Sequence, residues 1–180
     1  GAVISNNVIA RGRSGGILFS GDTNNGQPGA VPFGRIVNNT IYGGGATDDT
    51  GIQVEESVSP TLLNNVIVDF NVGISVDSSS ATTVIGANLF QDNLNNGIIN
   101  GTVFGPTAGP GSFPIVLSPG DALFVDAASS NFYPEAGSLV IDSSLDSLQD
   151  RANYANSVRG PLGIAPSPIL APDRDVFGQL

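Results

Sequence analysis

Apolar and polar residues alternate in several short stretches of the chain. Ile52-Gln53-Val54-Glu55 and Ile74-Ser75-Val76-Asp77 are clear examples, and each follows a glycine. A period of two residues is typical of β-strands, because successive side chains point to opposite faces of a strand. Valine, isoleucine and threonine, which favour strands, dominate these stretches, whereas good helix formers are sparse. The pattern therefore predicts an all-β fold of short strands.

A longer repeat organises these strands. A motif of two asparagines, a variable residue and isoleucine recurs, and a Gly-Ile pair follows each copy. The copies are Asn6-Asn7-Val8-Ile9, Asn38-Asn39-Thr40-Ile41, Asn64-Asn65-Val66-Ile67 and the partial copy Ala87-Asn88-Leu89-Phe90. The second asparagine advances by 32, 26 and then 23 residues. Such a period is typical of a solenoid, and the strand pattern without regular leucine spacing favours a parallel β-helix over a leucine-rich repeat.

The second asparagine of each copy is expected at a tight bend between two strands of a coil. There its amide can satisfy unpaired backbone groups, and the strand spacing of about 4.8 Å brings successive amides within hydrogen-bonding reach. We therefore predict a structural ladder formed by Asn7, Asn39, Asn65 and Asn88. Binding of a sugar by these amides is the alternative, and the structural role is favoured because buried backbone groups at bends need partners.

The apolar strand positions predict the residues of the core. We expect inward-pointing side chains at Ile17, Phe19, Ile41, Ile52, Val54, Ile67, Ile74, Val76, Leu89 and Phe124. Residues 1–104 are predicted to form the regular coils and residues 105–150 looser closing coils, while residues 151–180, rich in proline, are predicted to form an extended strip over the coils. We interpret the whole as one domain and as a fragment of a longer chain.

Composition and charge narrow the possible functions. The chain of 180 residues carries six basic residues, all arginine, against 16 acidic ones, and its formal net charge is −10. This balance argues against nucleic acid and anionic membrane surfaces as partners, since both need basic neutralisation. Cysteine, methionine, tryptophan and histidine are absent, which removes disulfides and thiolate nucleophiles. No apolar run has the length of a membrane span.

The coil motifs resemble the right-handed parallel β-helix repeats of the pectate-lyase-like superfamily. The stretch Asp121-Ala122-Leu123-Phe124-Val125-Asp126, followed by Asn131-Phe132-Tyr133 and Gly137-Ser138-Leu139-Val140-Ile141-Asp142, resembles the closing segment of large secreted bacterial surface β-helix proteins. Ala122 and Leu139 stand where that segment usually has proline. The resemblance implies a right-handed parallel β-helix of about four regular coils and an extracellular or cell-surface location. It implies no single activity, because such β-helices include lyases, hydrolases, adhesins and passive stalks.

The catalytic residues of the enzymes in that superfamily are not matched here. Its lyases use lysine or arginine with Ca²⁺, and its hydrolases use carboxylates with a histidine and an Arg-Lys pair. This chain has no lysine or histidine, and its arginines are scattered. Asp48-Asp49 resembles a hydrolase carboxylate pair, but two adjacent carboxylates on a loop are more typical of solvated turn residues. We therefore predict a chain that is not an enzyme, with a polysaccharide lyase or glycoside hydrolase as the alternative.

Calcium binding is the metal hypothesis. Glu55 and Asp77 follow the Gly-Ile pair at the same distance in consecutive coils, so stacking brings two carboxylates close together. A cation could bridge them, with Glu56, Asp49 or Asn71 as further ligands. The alternative is a solvated pair screened by salt. No other cofactor is predicted.

Two functional hypotheses follow. The first is a structural or adhesive β-helix module of a large extracellular or cell-surface protein, in which the open β-helix ends stack on further coils of the parent chain or on like subunits in a fibre. The second is a carbohydrate-binding or polysaccharide-degrading β-helix whose active residues lie outside this sequence.

Overall fold

The computed structural model describes residues 2–22, 34–45, 49–103 and 115–141. Sixteen short strands lie in these ranges. They are β1 (Val3–Ser5), β2 (Val8–Ala10), β3 (Ile17–Ser20), β4 (Arg35–Val37), β5 (Thr40–Tyr42), β6 (Thr50–Glu55), β7 (Thr61–Leu63), β8 (Val66–Val68), β9 (Val72–Val76), β10 (Val84–Gly86), β11 (Leu89–Gln91), β12 (Asn95–Ile99), β13 (Thr102–Val103), β14 (Ile115–Val116), β15 (Phe124–Asp126) and β16 (Asn131–Pro134). Short 3-10 turns span Ser78–Ser80 and Ala127–Ser129.

The strands stack into a right-handed parallel β-helix, which confirms the predicted fold class. The first sheet has the order β1-β4-β7-β10, the second β14-β11-β8-β5-β2 and the third β13-β12-β9-β6-β3. Every third strand along the chain thus returns to the same sheet, and four complete coils result. β14 adds a strand of a fifth coil to the second sheet, while β13 turns back antiparallel on β12.

Strand register places one column of apolar side chains from each sheet in the interior. Ile41 pairs with Ile67, which pairs with Phe90, and Ile52 pairs with Ile74. All five side chains are at most 1% exposed. Every coil contributes its apolar residues at equivalent positions. The core is therefore a continuous column that runs along the stack of coils, and not a central cluster.

Two of the ten predicted core positions are wrong. Leu89 is buried, but it lies in a second cluster with Val66, Val68, Leu117 and Leu123, on the outer face of the second sheet. Phe124 is only half buried and packs against this same cluster. The physical reason is the two-residue side-chain period: Leu89 pairs with Val66 and Phe90 with Ile67, so Phe90 takes the inward position.

The asparagine pairs have two separate roles in the backbone. The first asparagine of each pair adopts the left-handed conformation, with φ of 56° at Asn6, 57° at Asn38 and 55° at Asn64. This conformation turns the chain sharply between the first and second sheets, and asparagine tolerates it better than most residues do. In the fourth coil Ala87 occupies the same position with φ of 47°.

The Gly-Ile motif has a steric cause. A Cβ atom on Gly51 would lie 2.6 Å from the carbonyl oxygen of Gly73, and one on Gly73 would lie 2.6 Å from that of Asn96. Coils approach so closely here that only glycine fits. The following isoleucines, Ile52 and Ile74, are then delivered to the core.

The closing segment covers the outer face of the second sheet. Leu117 and Leu123 pack there, and the antiparallel hairpin of β15 and β16 adds Phe132, whose ring centroid lies 5.4 Å from that of Tyr42. Arg11 ties this hairpin to the first coil, because its guanidinium donates hydrogen bonds to the carbonyl oxygens of Ala127 and Ala128 and to Ser130 Oγ.

The proposed division at residues 104 and 150 stays a prediction. The described coils extend to Val103, and the closing segment is described for residues 115–141. The proline-rich strip predicted for residues 151–180 lies outside the described residues.

Candidate functional site

The structure stacks the four ladder asparagines at the bend between the first and second sheets. Asn7 Nδ2 donates to Asn39 Oδ1 at 3.0 Å, Asn39 Nδ2 to Asn65 Oδ1 at 3.0 Å, and Asn65 Nδ2 to Asn88 Oδ1 at 2.9 Å. Each Oδ1 also accepts the backbone N–H of the asparagine one coil earlier. The amide dipoles therefore point the same way along the whole ladder.

The ladder is buried except at its first member. Asn39, Asn65 and Asn88 are at most 1% exposed, whereas Asn7 is exposed. The remaining Nδ2 hydrogens of the buried members donate to carbonyl oxygens, such as that of Ile36 from Asn65 and that of Leu62 from Asn88. Both Nδ2 hydrogens of Asn39 and Asn65 are donated within the protein, and the described part of the chain already occupies the buried amides, which favours the structural role over sugar binding.

A second bridging amide at another corner was not predicted. Asn93 Oδ1 accepts the backbone N–H of Phe70 at 3.0 Å, and its Nδ2 donates to the carbonyl oxygen of Ile67 at 2.9 Å. Asn93 has no counterpart in a repeated Asn-Asn motif, so sequence comparison between coils carried no signal for it.

The structure gives Glu55 and Asp77, the predicted calcium ligands, different partners. Asp77 accepts the backbone N–H groups of Ser80 and Glu56 and the hydroxyl of Ser79, and it begins the 3-10 turn that follows β9. Glu55 accepts a hydrogen bond from Gln53 Nε2. Partial burial alone would raise the pKa of Asp77, but these hydrogen bonds together outweigh it and lower the pKa below its ordinary value. Calcium binding by this pair stays a prediction.

A different group of carboxylates meets at the corner between the second and third sheets. Asp69 and Asp92 each follow a strand of the second sheet, both with left-handed backbone, at φ of 65° and 54°. Asp49 precedes β6 at the same corner. Partial burial raises the pKa of Asp69, and the neighbouring charges of Asp92 and Asp49 raise it further.

The expectation that Asp49 is a solvated turn residue is wrong. Asp49 is 4% exposed, and neither of its carboxylate oxygens has a hydrogen-bond partner among the residues that the structure describes. Its backbone carbonyl accepts the N–H of Val72, which holds the residue against the next coil and turns its side chain away from water. Its sequence neighbour Asp48 lies outside the described residues. A buried, unpartnered carboxylate is unusual and calls for a compensating group.

Asp69 and Asp92 border a cavity of about 390 Å³ between the second sheet and the closing segment. We call it the acidic cavity. Its wall carries four carboxylates, and its apolar part comes from both the sheet and the closing segment. The carboxylates are Asp69, Asp92, Asp121 and Glu135, and the apolar side chains include Tyr42, Val68, Leu123 and Phe124.

The spacing from the ladder asparagines indicates two of the carboxylates of this cavity. Asp69 and Asp92 each stand four residues after a ladder asparagine, at the position that Arg11 takes in the first coil. The contribution of Asp121 and Glu135 could not be found in this way, because they come from the closing segment, outside the repeat.

Only oxygen ligands are available for a metal ion. The chain has no histidine, cysteine or methionine, the residues that provide nitrogen and sulfur ligands. Within the described ranges, no group of three or more acidic side chains is arranged to hold a metal ion. The same ranges contain no helix with the length and apolarity needed to cross a membrane.

Comparison with known proteins yields one family. Neither the curated proteins nor the solved structures include a significant match. Residues 1–107 match the family model described as "Periplasmic copper-binding protein (NosD)". The matched part contains the four coils, the asparagine ladder and the acidic residues of the coil corner, and it ends before the closing segment. With more than half of its length matched and a parallel β-helix as its fold, the chain belongs to the NosD family.

Proposed function

We propose that this chain is a structural or adhesive β-helix module of a protein that acts outside the cytoplasm. The observation that carries the proposal is the buried asparagine ladder, which crosses all four coils without interruption. Buried, hydrogen-bonded amides specify one register, and the backbone hydrogen bonds between stacked coils in all three sheets resist bending. The result is a stiff spacer on which other segments can be carried.

The family description supports the location. It names periplasmic proteins. Display on the cell surface is the narrower form of this proposal.

Copper binding, which the family description also names, does not fit the residues of this chain. Copper sites in proteins use imidazole, thiolate or thioether ligands, and all three are absent from the sequence. The oxygen ligands that remain suit hard cations such as calcium. No copper chemistry is therefore assigned to this chain.

The edge of the first coil supports the proposal that its partner is a further coil. Asn39, Asn65 and Asn88 each accept hydrogen bonds from the coil before them, and Asn7 Oδ1 stands at the same position at the start of the ladder. A preceding coil with an asparagine in register would continue the ladder at Asn7.

The polarity of the ladder favours a coil of the parent protein over head-to-tail stacking of copies. A copy stacked head-to-tail would have to present a donor amide at its other end. There Ile115 pairs with Leu89, and the residue before Ile115 is Pro114, which has neither an amide side chain nor an N–H group. Light scattering on residues 1–180 expressed alone tests the edge. Without the parent coil, the unpaired edge of the first coil should associate non-specifically and without continuing the ladder, and a stable, folded monomer at high concentration would contradict an open edge.

The structural function is tested against polysaccharide degradation. We expect that incubation with pectin, polygalacturonate, alginate and chondroitin releases neither unsaturated products nor reducing ends. The reason is that the chain has no lysine or histidine, its arginines are scattered along the sequence, and its acidic surface repels polyuronates. Clear turnover of any of these polymers, abolished by a substitution in the chain, would overturn the proposal.

A further inference from the structure

We propose that the outer face of the first sheet binds the uncharged, proline-rich segment of residues 160–172 of the same chain. This intramolecular interaction goes beyond the structural function and does not depend on it. Its support comes from the burial of the face, from the place where the closing segment arrives, and from the composition of residues 160–172.

The outer face of the first sheet consists of two columns of side chains. The strand neighbours of the core residues of this sheet point away from the core, because side chains alternate along a strand. The register aligns these outward positions from coil to coil. They are Val3, Arg35, Thr61 and Val84 in one column and Ser5, Val37, Leu63 and Gly86 in the other.

Beyond the first coil, the apolar side chains of this face are buried. Val37, Leu63 and Val84 are 5%, 1% and 6% exposed, whereas Val3 in the first coil is 59% exposed. Among the described residues, the three buried ones belong neither to the core column nor to the outer cluster of the second sheet. Stacking of coils alone does not bury an outward side chain, since Gln53 of the third sheet has a coil on either side and is exposed. A further segment of the chain therefore covers this face.

The closing segment arrives beside the covered face. Val140 packs against the outer cluster of the second sheet and lines a cavity of about 50 Å³ together with Asn64 and Ala87. Asn64 and Ala87 form the left-handed bends between the first and second sheets, so the chain has crossed to the border of the first sheet at this point. Residues 142–160 follow, and a connection of this length can span the roughly 10 Å between β4 and β10.

The composition of residues 160–172 fits an apolar face. Their sequence, GPLGIAPSPILAP, carries no charge, whereas residues 142–159 include three aspartates and two arginines. Burial of an uncharged segment avoids the cost of desolvating charges, and its leucines and isoleucines gain from removal from water. Its four prolines lack backbone donors, so the segment can lie flat on a sheet without the ladder partners that a strand needs.

Site-directed photocrosslinking in the full chain tests the proposal. The chain has no cysteine, so a single introduced thiol can carry the photoreactive group. Arg35→Cys places this group in an outward column of the first sheet, at a half-buried position outside the core. The matched control Gln53→Cys places it on the exposed outer face of the third sheet. Because lysine is absent, trypsin cuts only after arginine, and residues 160–174 form one peptide.

We expect the group at residue 35 to link to the peptide of residues 160–174 within one molecule, and we expect no such link from residue 53. In the Arg35→Cys chain, the further substitution Ile164→Asp should abolish the link, because it brings a charge into the apolar contact. Ser167→Asp adds the same charge at a polar position of the segment and should retain the link.

Four results would overturn the proposal. A link from residue 35 to any other part of the chain, including one within the tryptic peptide of residues 14–151, would show that another segment covers the face. Covalent dimers on a denaturing gel would assign the face to a second copy. Equal linking from residues 35 and 53 would show non-specific capture, and equal loss in Ile164→Asp and Ser167→Asp would contradict an apolar contact.

Discussion

Replacement of Asn65 by alanine should lower the free energy of unfolding by about 3 kcal/mol. Asn65 is fully buried, and its side chain accepts the N–H of Asn39 at 3.1 Å and donates to the carbonyl oxygen of Ile36 at 2.9 Å. Alanine leaves both backbone groups without these partners in the interior. Each buried backbone group without a partner lowers the free energy of unfolding by about 1–3 kcal/mol. Asn88 Oδ1 loses the side-chain donor of residue 65 but keeps its backbone N–H, which limits the loss there.

The matched control is Asn7→Ala, the same substitution at the exposed end of the same ladder. Asn39 Oδ1 keeps the backbone N–H of residue 7, and water can replace the remaining contacts. We therefore expect a loss below about 1 kcal/mol. Urea unfolding followed by far-UV circular dichroism measures both values, provided that the dependence on urea is unchanged between variants. Equal losses in the two variants would refute the argument that burial makes the ladder stabilising.

Four further predictions concern the bends, the carboxylates and the hairpin. Ala87→Asn should raise the free energy of unfolding by about 1 kcal/mol, because asparagine suits the left-handed backbone at φ of 47°. A cavity of about 50 Å³ next to the residue leaves room for the larger side chain. A loss of stability in urea unfolding would contradict this prediction. Asp69→Asn should stabilise the chain at neutral pH, because the raised pKa of Asp69 makes its charged form unfavourable in the folded state. The gain should fade as the pH falls through this raised pKa and should be gone below the ordinary value of 3.8. Asp77→Asn should destabilise the chain, and this loss of stability should be complete above the ordinary pKa of 3.8. The loss should fade as the pH falls through the lowered pKa of Asp77. Thermal melting curves across this pH range test the sign of both predictions. Arg11→Ala should speed amide hydrogen exchange in the hairpin of β15 and β16 by about tenfold, which corresponds to a loss of about 1.4 kcal/mol in the local opening free energy. Exchange in β8 and β9 should stay unchanged. Equal acceleration everywhere would contradict a local role.

Local periodicity was sufficient to predict the coils. The two-residue alternation indicated strands, and the spacing of the Asn-Asn and Gly-Ile motifs indicated how strands return to the same sheet. This worked because each coil contacts mainly its neighbours, so equivalent positions meet the same environment and need the same residue. The left-handed bends favour asparagine, which three of the four coils have there, and the close approach at Gly51 and Gly73 requires glycine.

The closing segment and the acidic cavity could not be predicted in this way. Leu89 lies in an outer cluster because the segment around Leu117 and Leu123 folds back over the second sheet, a contact between distant parts of the chain that no repeat encodes. Asp49 was expected in solvent because its sequence neighbours are turn residues, yet the turn places it inside the corner beside Asp69. A repeat determines which residues share a column, whereas the burial and electrostatic environment of a side chain depend on what the rest of the chain packs over that column.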